Sequence, residues 1–205
     1  MRAKEGETIE DYMHHTGEFQ DKSPAIKIIW GDITEVKADA IVNAANKEML
    51  GGGGVDGAIH RIAGPRLLEE CRKIKEEKFP GGVPEGELIV TQAYNLPAKI
   101  VIHTVGPKFY CEIPRKCTET LRGCYLKALE TAENSPYFCN SIAFPAISTG
   151  AFAFPVERSA EIVKNALLSY KSRDIKEIIL VLFKSKDYET YKRVFEKREE
   201  FNLVK

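Results

Sequence analysis

"DAIVNAANKEMLGGGGVDGAIHRIAG", Asp39 to Gly64, makes three structural statements in succession. DAIVNA (39–44) is short and almost continuously apolar, the pattern of a strand covered on both faces. GGGG (51–54) carries an entropy cost that an ordinary turn does not require, although a merely flexible turn is the plainer alternative. From Val55 onward the apolar residues fall at helical spacing: Val55, Ile59 and Ile62 form one stripe, and Asp56 and His60 share the adjacent face. Strand, glycine loop and helix in that order make a unit of an α/β sheet. Such sheets hold ligands in the crevice beyond the carboxyl ends of their strands.

Outward from this unit the same alternation continues. Further strands are expected at AIKIIWG (25–31), ELIVTQA (87–93), KIVIHTVG (99–106), SIAFPAI (141–147) and EIILVLF (177–183). Helices are expected near 55–63, 65–77, 118–133, 156–171 and 187–199, the last with Tyr188, Tyr191, Val194 and Phe195 as its core stripe. Strands taking turns with helices predict one three-layer α/β/α domain over 25–205, preceded by a polar arm at 1–24.

Composition narrows the partners. The chain of 205 residues has zero formal net charge, so no global basic field recruits nucleic acid or an anionic membrane. With no aromatic-basic patch either, a purine-reading RNA-binding protein is disfavoured. Cys71, Cys111, Cys117, Cys124 and Cys139 include no CxxC pair or zinc-finger spacing, and are expected as reduced thiols. No apolar run reaches membrane-span length and the start lacks a signal-peptide core, so the expectation is a soluble cytoplasmic monomer.

Two loops carry the chemistry. NAANKEMLGGGGVDG and PAISTGAFAFP (145–155) each put small residues ahead of a helix N-terminus, where free N–H groups and the dipole favour an anion. Neither contains arginine and only Lys47 supplies a cation, so backbone amides would hold a diphosphate threaded between them. A nucleotide-triphosphate P-loop would need GxxxxGK[ST], whereas Val55 and Asp56 follow the last glycine here. The spacing of Gly52, Gly54 and Gly57 also matches the dinucleotide GxGxxG, a weak signal alone. Asp56 suits the helix dipole in any case, but it also aims a carboxylate toward the glycine loop. His60, four residues on, is expected as a hydrogen-bonding support; no second ligand motif marks it for a metal. Asn43 and Asn46 suit turns and caps, while their amides can also donate to and accept from the hydroxyls of a ribose.

Taken with GDIT (31–34), LPAKIVIHTVGP (96–107), AFPAISTG (143–150) and LVLFKSKDYETY (180–191), these motifs resemble the macrodomain family, specifically its MacroD-type branch. The resemblance implies a mixed central sheet of about six strands and a site for ADP-ribose. It also implies removal of mono-ADP-ribose from Asp and Glu side chains and deacetylation of O-acetyl-ADP-ribose, without a cofactor or metal. The alternative is a reader that binds ADP-ribose without cleaving it.

Carried over by position, Asp32 and the Ile33 amide would meet the adenine edge and Phe183 its face. Asn43 and Asn46 would approach the distal ribose. Gly52, Gly53, Gly54 and Val55 would line one side of the diphosphate, and Ser148, Thr149, Gly150, Ala151 and Phe152 the other. Asp56, Asn46 and His60 form the candidate catalytic set, with Asp56 acting on the attacking water. The second loop departs from the branch's usual STG-[IV]-Y-G-[FY]-P: Phe152 keeps an aromatic face but lacks the hydroxyl, and Ala153 restricts a backbone that glycine would leave free.

Overall fold

A computed structural model describes residues 23–109 and 113–197. Its strands are β1 (Ala25–Trp30), β2 (Ala40–Ala45), β3 (Leu88–Gln92), β4 (Ile100–Val105), β5 (Ser141–Phe144) and β6 (Glu177–Leu182). Five α-helices alternate with them among the described residues: α1 (Gly54–Ala63), α2 (Pro65–Lys78), α3 (Pro114–Glu133), α4 (Val156–Ser169) and α5 (Ser185–Glu196). A 3-10 turn at Ile33–Glu35 follows β1. The arm expected over 1–24 falls outside the described residues as far as residue 22, as does the end of the helix expected to reach 199.

The strands form one mixed sheet in the order β1-β6-β5-β2-β4-β3, parallel throughout except for the antiparallel pair β3 and β4. All six residues of β4 are buried, and β2 is buried at every position but one, which is why both were written as continuous apolar runs. Successive residues serve opposite layers. Ala40 and Val42 pack beneath α3, α4 and α5, while Ile41 and Ala45 pack beneath α1 and α2. Ile41 is wholly buried, a transfer from water worth about 1.5–3 kcal/mol. In α5, Tyr191 and Val194 are buried as the stripe predicts, with Tyr188 and Phe195 half-buried beside them.

Several boundaries differ from the sequence expectation, for local reasons. Strand β5 ends at Phe144 because Pro145 has no N–H for the ladder. Helix α3 starts at Pro114, where a missing N–H costs nothing. Ile62 is exposed and does not continue the α1 stripe; Ala63 takes its place in the core. The parallel strands start along one rim, where Asp39 accepts from the Asn140 and Ser141 amides and pairs with Lys99 at 2.8 Å. Cys71, Cys124 and Cys139 are free, but Cys117 is disulfide-bonded, which corrects the expectation of five reduced thiols; Cys111 lies outside the described residues. No helix among the described residues is long and apolar enough to cross a membrane.

Candidate active site

The carboxyl ends of β1, β6, β5 and β2 stand side by side on the rim opposite Asp39. From the adjacent strands β2 and β5 the chain leaves toward opposite layers, to α1 on one face and α4 on the other. A crevice opens where the connections part.

The first wall is the glycine loop running into α1. Gly53 caps the helix without a side-chain hydrogen bond, so the amides of Gly54, Val55 and Asp56 in the first turn have no intrahelical acceptor. A Cβ on Gly57 would lie 2.3 Å from the Gly52 carbonyl oxygen, so only glycine lets the loop fold back against the helix. The second wall closes on itself through Phe154 N–H to Ser148 O (2.9 Å) and Ala153 N–H to Gly150 O (2.9 Å). The amides of Gly150, Ala151 and Phe152 are left without an acceptor among the described residues. Two N–H clusters thus face one crevice, an arrangement suited to an anion.

At the end of that crevice lies Asp56, 3 % exposed. The Asn43 amide donates to its Oδ1 at 2.7 Å, Asn46 donates to Oδ2 at 3.4 Å, and His60 Nε2 stands 3.5 Å from Oδ1. Burial pushes the Asp56 carboxyl up from its ordinary range, against the opposing pull of the Asn43 hydrogen bond and of His60. Burial likewise lowers His60, against Asp56. The outcome is a carboxylate more basic than one in water, held by amide donors. Asn46 also spans the loop, donating to Gly51 O at 3.0 Å and accepting from the Glu48 amide at 2.8 Å.

Behind Asp56 runs a buried hydrogen-bond chain that sequence reasoning missed. Asn43 meets His103 Nδ1 at 3.0 Å, and His103 Nε2 meets Thr91 Oγ1 at 2.9 Å. Since the Asn43 amide nitrogen can only donate, Nδ1 must accept and the proton sits on Nε2. Burial and neighbouring His60 hold His103 down at about 3, so it stays neutral and fixes which way the Asn43 amide points. The signal was a histidine inside a continuous apolar strand, which burial obliges to find partners.

His60, Cys71 and His103 bring potential metal-ligand atoms within 4.8 Å of one another. Burial, with Glu70 and Asp56 nearby, pushes the Cys71 thiol up to about 12, while His103 already engages Thr91 and Asn43 through its two nitrogens. Cys71 and His103 are therefore held in a hydrogen-bonded core, whereas both ring nitrogens of His60 are buried without a hydrogen-bond partner among the described residues, which corrects the expectation of a hydrogen-bonding support; a metal would have to displace both the thiol proton and the Thr91 contact.

The groove extends from Asp56 toward β6 as two overlapping cavities of about 300 and 340 Å³. Asp56, Asn46 and Phe152 line the first; Asp32, Ile33 and Phe183 line the second; Gly54, Val55, Ala146 and Gly150 belong to both. Asp32 Oδ1 accepts from Thr34 N–H (2.9 Å) and Thr34 Oγ1 (2.8 Å). Phe183 is 76 % exposed, and its carbonyl accepts from the Trp30 indole at 3.2 Å.

Not every expected residue stands in the groove. Asn43 is fully buried and supports Asp56 from behind instead of lining the cavity. Gly52 sits between Asn46 and Asp56 at the loop's turn. Ser148 does line the Asp56 cavity as expected, but it is buried with its hydroxyl unpartnered. Thr149 lines the β6 cavity and returns its hydroxyl to Ala146 O at 2.9 Å. Lys47, the one cation of the two loops, lines neither cavity; Arg61 and Lys184 supply positive charge at the β6 end.

A mixed sheet of this order, with helices on both faces and a crevice at its carboxyl edge, defines an α/β/α class, and comparison narrows it. The Macro domain family model matches residues 42–163. A macro domain-containing protein of Caldanaerobacter subterraneus subsp. tengcongensis is 45% identical over 83% of this chain and 95% of its own. The O-acetyl-ADP-ribose deacetylase of Escherichia fergusonii is 43% identical over 82% of this chain and 94% of its own. A solved Oceanobacillus iheyensis macrodomain mutant with ADPR (ADP-ribose) superposes with a TM-score of 0.79 at 38% identity, covering 85% of this chain and 94% of that one. The chain belongs to the macrodomain family.

Proposed function

We propose that this macrodomain binds ADP-ribose and hydrolyses carboxylate esters of it, deacetylating O-acetyl-ADP-ribose and releasing mono-ADP-ribose from Asp and Glu side chains. The adenine would lie between Asp32 and Phe183, the diphosphate between the two amide-bearing loops, and the distal ribose beside Asn46 and Phe152. The relative named a deacetylase supports the reaction class. The observation that carries the reading is Asp56: a buried carboxylate of raised pKa at the inner end of an amide-walled groove.

The chemistry consumes one water. As its oxygen forms the new C–O bond its proton passes to Asp56; the ester C–O bond breaks, and the departing oxygen regains a proton, leaving a free acid and ADP-ribose. Asn46 fixes the ribose side of the site, and the His60 ring, its pKa lowered by burial, packs beside the carboxylate. Incubation of the purified protein with O-acetyl-ADP-ribose and with a protein carrying glutamate-linked mono-ADP-ribose tests the reading by ADP-ribose release. Tight ADP-ribose binding with no release from either substrate would make the protein a reader, with the Phe152 and Ala153 departures as the first positions to revert.

A further inference from the structure

Asp56 is a buried carboxylate without a countercharge. No lysine or arginine pairs with it among the described residues. The titratable groups packed around it are His60 on its own helix, Cys71 on α2 and His103 on β4. Burial lowers both histidines and pushes the thiol up to about 12, so all three are neutral at neutral pH. The ionised form of Asp56 therefore depends on hydrogen bonds, and the shorter of its two amide bonds comes from Asn43, at 2.7 Å against 3.4 Å from Asn46.

Nothing in asparagine itself obliges it to donate there, since half a turn of its amide would set oxygen against the carboxylate instead. The sheet supplies the constraint. Asn43 and His103 are register partners on β2 and β4, and Thr91 of β3 stands diagonally across from His103. All three share the sheet face of Ile41, Val101 and Ile89, beneath α1 and α2. Asn43 donates to Asp56 and to His103 Nδ1 at 3.0 Å, while its own oxygen is buried without a partner. An unpaired buried acceptor is costly, yet the reversed amide would cost more, leaving two N–H groups unpaired in its place. Thr91 Oγ1, 2.9 Å from Nε2, accepts the proton of this His103 tautomer, with the Cys71 sulfur at 3.7 Å as a weaker second acceptor.

We infer that His103 is a positioning residue for Asp56: its Nδ1 locks the Asn43 amide in the donating orientation, and the amide in turn holds the carboxylate ready to take a proton. The inference deepens the proposed function and rests on it for the kinetic readout alone.

NMR of the labelled Asp56 carboxyl follows its titration without any substrate, and NMR of nitrogen-labelled histidine rings reads the His103 tautomer. His103→Leu removes the acceptor for the second Asn43 N–H, so Asp56 should titrate about one pH unit higher, the scale of a weakened hydrogen bond to a charged group. His103→Asn, whose amide oxygen can take the place of Nδ1, should bring the titration most of the way back. Thr91→Val removes only the acceptor of the Nε2 proton; it should shift Asp56 the same way by less, and it carries the test if His103→Leu does not fold. None of the three chain members lines the groove, so each variant should keep its ADP-ribose Kd within twofold while the acid limb of kcat moves with the carboxyl titration. An unmoved Asp56 titration in the folded His103→Leu and Thr91→Val proteins would overturn the inference. So would a wild-type spectrum with the proton on Nδ1, or an equal shift in His103→Asn, which would mark lost packing. Shifted titrations in a wild type that hydrolyses no ester would sink the proposed function and leave the positioning chain standing.

Discussion

Replacing Gly57 by alanine sets two opposing effects against each other. In the second turn of a helix the change should stabilise by up to about 1 kcal/mol, from propensity alone. The new methyl, however, would stand 2.3 Å from the Gly52 carbonyl oxygen, and ordinary contact begins near 3.4 Å, so the loop must retreat by about 1 Å. Overpacking of that kind costs about 1–3 kcal/mol, enough to cancel or reverse the helix gain. The effect on binding should be larger. The displaced Gly52 is two residues from Gly54, whose amide with those of Val55 and Asp56 lacks an intrahelical acceptor, and each hydrogen bond to a charged group is worth about 1.5–3 kcal/mol, so losing one should raise the ADP-ribose Kd about 10- to 100-fold. Calorimetric titration with ADP-ribose and a denaturant melt would measure both. Gly123→Ala is the control: no atom lies within 4 Å of the added methyl, so it should gain about the full propensity term and leave affinity alone. A folded Gly57→Ala protein that binds ADP-ribose within twofold of wild type would refute the reasoning.

Asp56→Ala should lower ester turnover by about 10² or more with a much smaller change in ADP-ribose Kd, and the wild-type rate should fall in acid at a pH above the ordinary carboxylate range, because the working form is deprotonated and its pKa is raised. Turnover by Asp56→Ala at the wild-type rate would remove it from the mechanism. Ala153 holds a left-handed φ of 56°, so Ala153→Gly should stabilise by about 0.5 kcal/mol, the relief of strain (about 1–2) less the added freedom of the unfolded chain (about 0.5–1). A clear loss in a denaturant melt would contradict this. Partial burial would raise the Glu133 carboxyl, but hydrogen bonds from Tyr170, Ser172 and the Asp174 and Arg173 amides overcome it and hold the pKa at about 2. Its stabilisation is present above the unfolded value near 4.5 and is lost as pH falls toward 2. Glu133→Gln should therefore cost about 1–2 kcal/mol at pH 7, allowing for solvent screening, and nearly nothing at pH 2; an equal cost at both would exclude the linkage.

The strands were legible because β2, β4 and β6 are covered on both faces and so are written as continuous Ile- and Val-rich runs. Their order was not, because nothing in β1 names β6, 152 residues away, as its partner. Met49 shows the same limit: it lies in a loop, yet is completely buried at a φ of 56°, which local polarity could not foretell. In the site, Asp56, Asn46 and both loops stood within contiguous motifs. The chain from Thr91 through His103 to Asn43 did not, because its members come from three strands and meet only when the sheet assembles. Asn43 was misplaced for the same reason, since a residue at the end of a buried strand has the same local pattern whether its amide faces ligand or core.

The parallel arrangement of β1 has a practical reach. Ala25 begins the strand on the Asp39 rim and Trp30 ends it beside Phe183, a run of about 20 Å at ordinary strand rise. A group joined directly ahead of Ala25 in place of the residues before it, whether an affinity tag, a fluorescent protein or a sensor surface, would attach at the rim opposite the crevice. Immobilised in that orientation, the protein would present its groove outward to a ligand in solution.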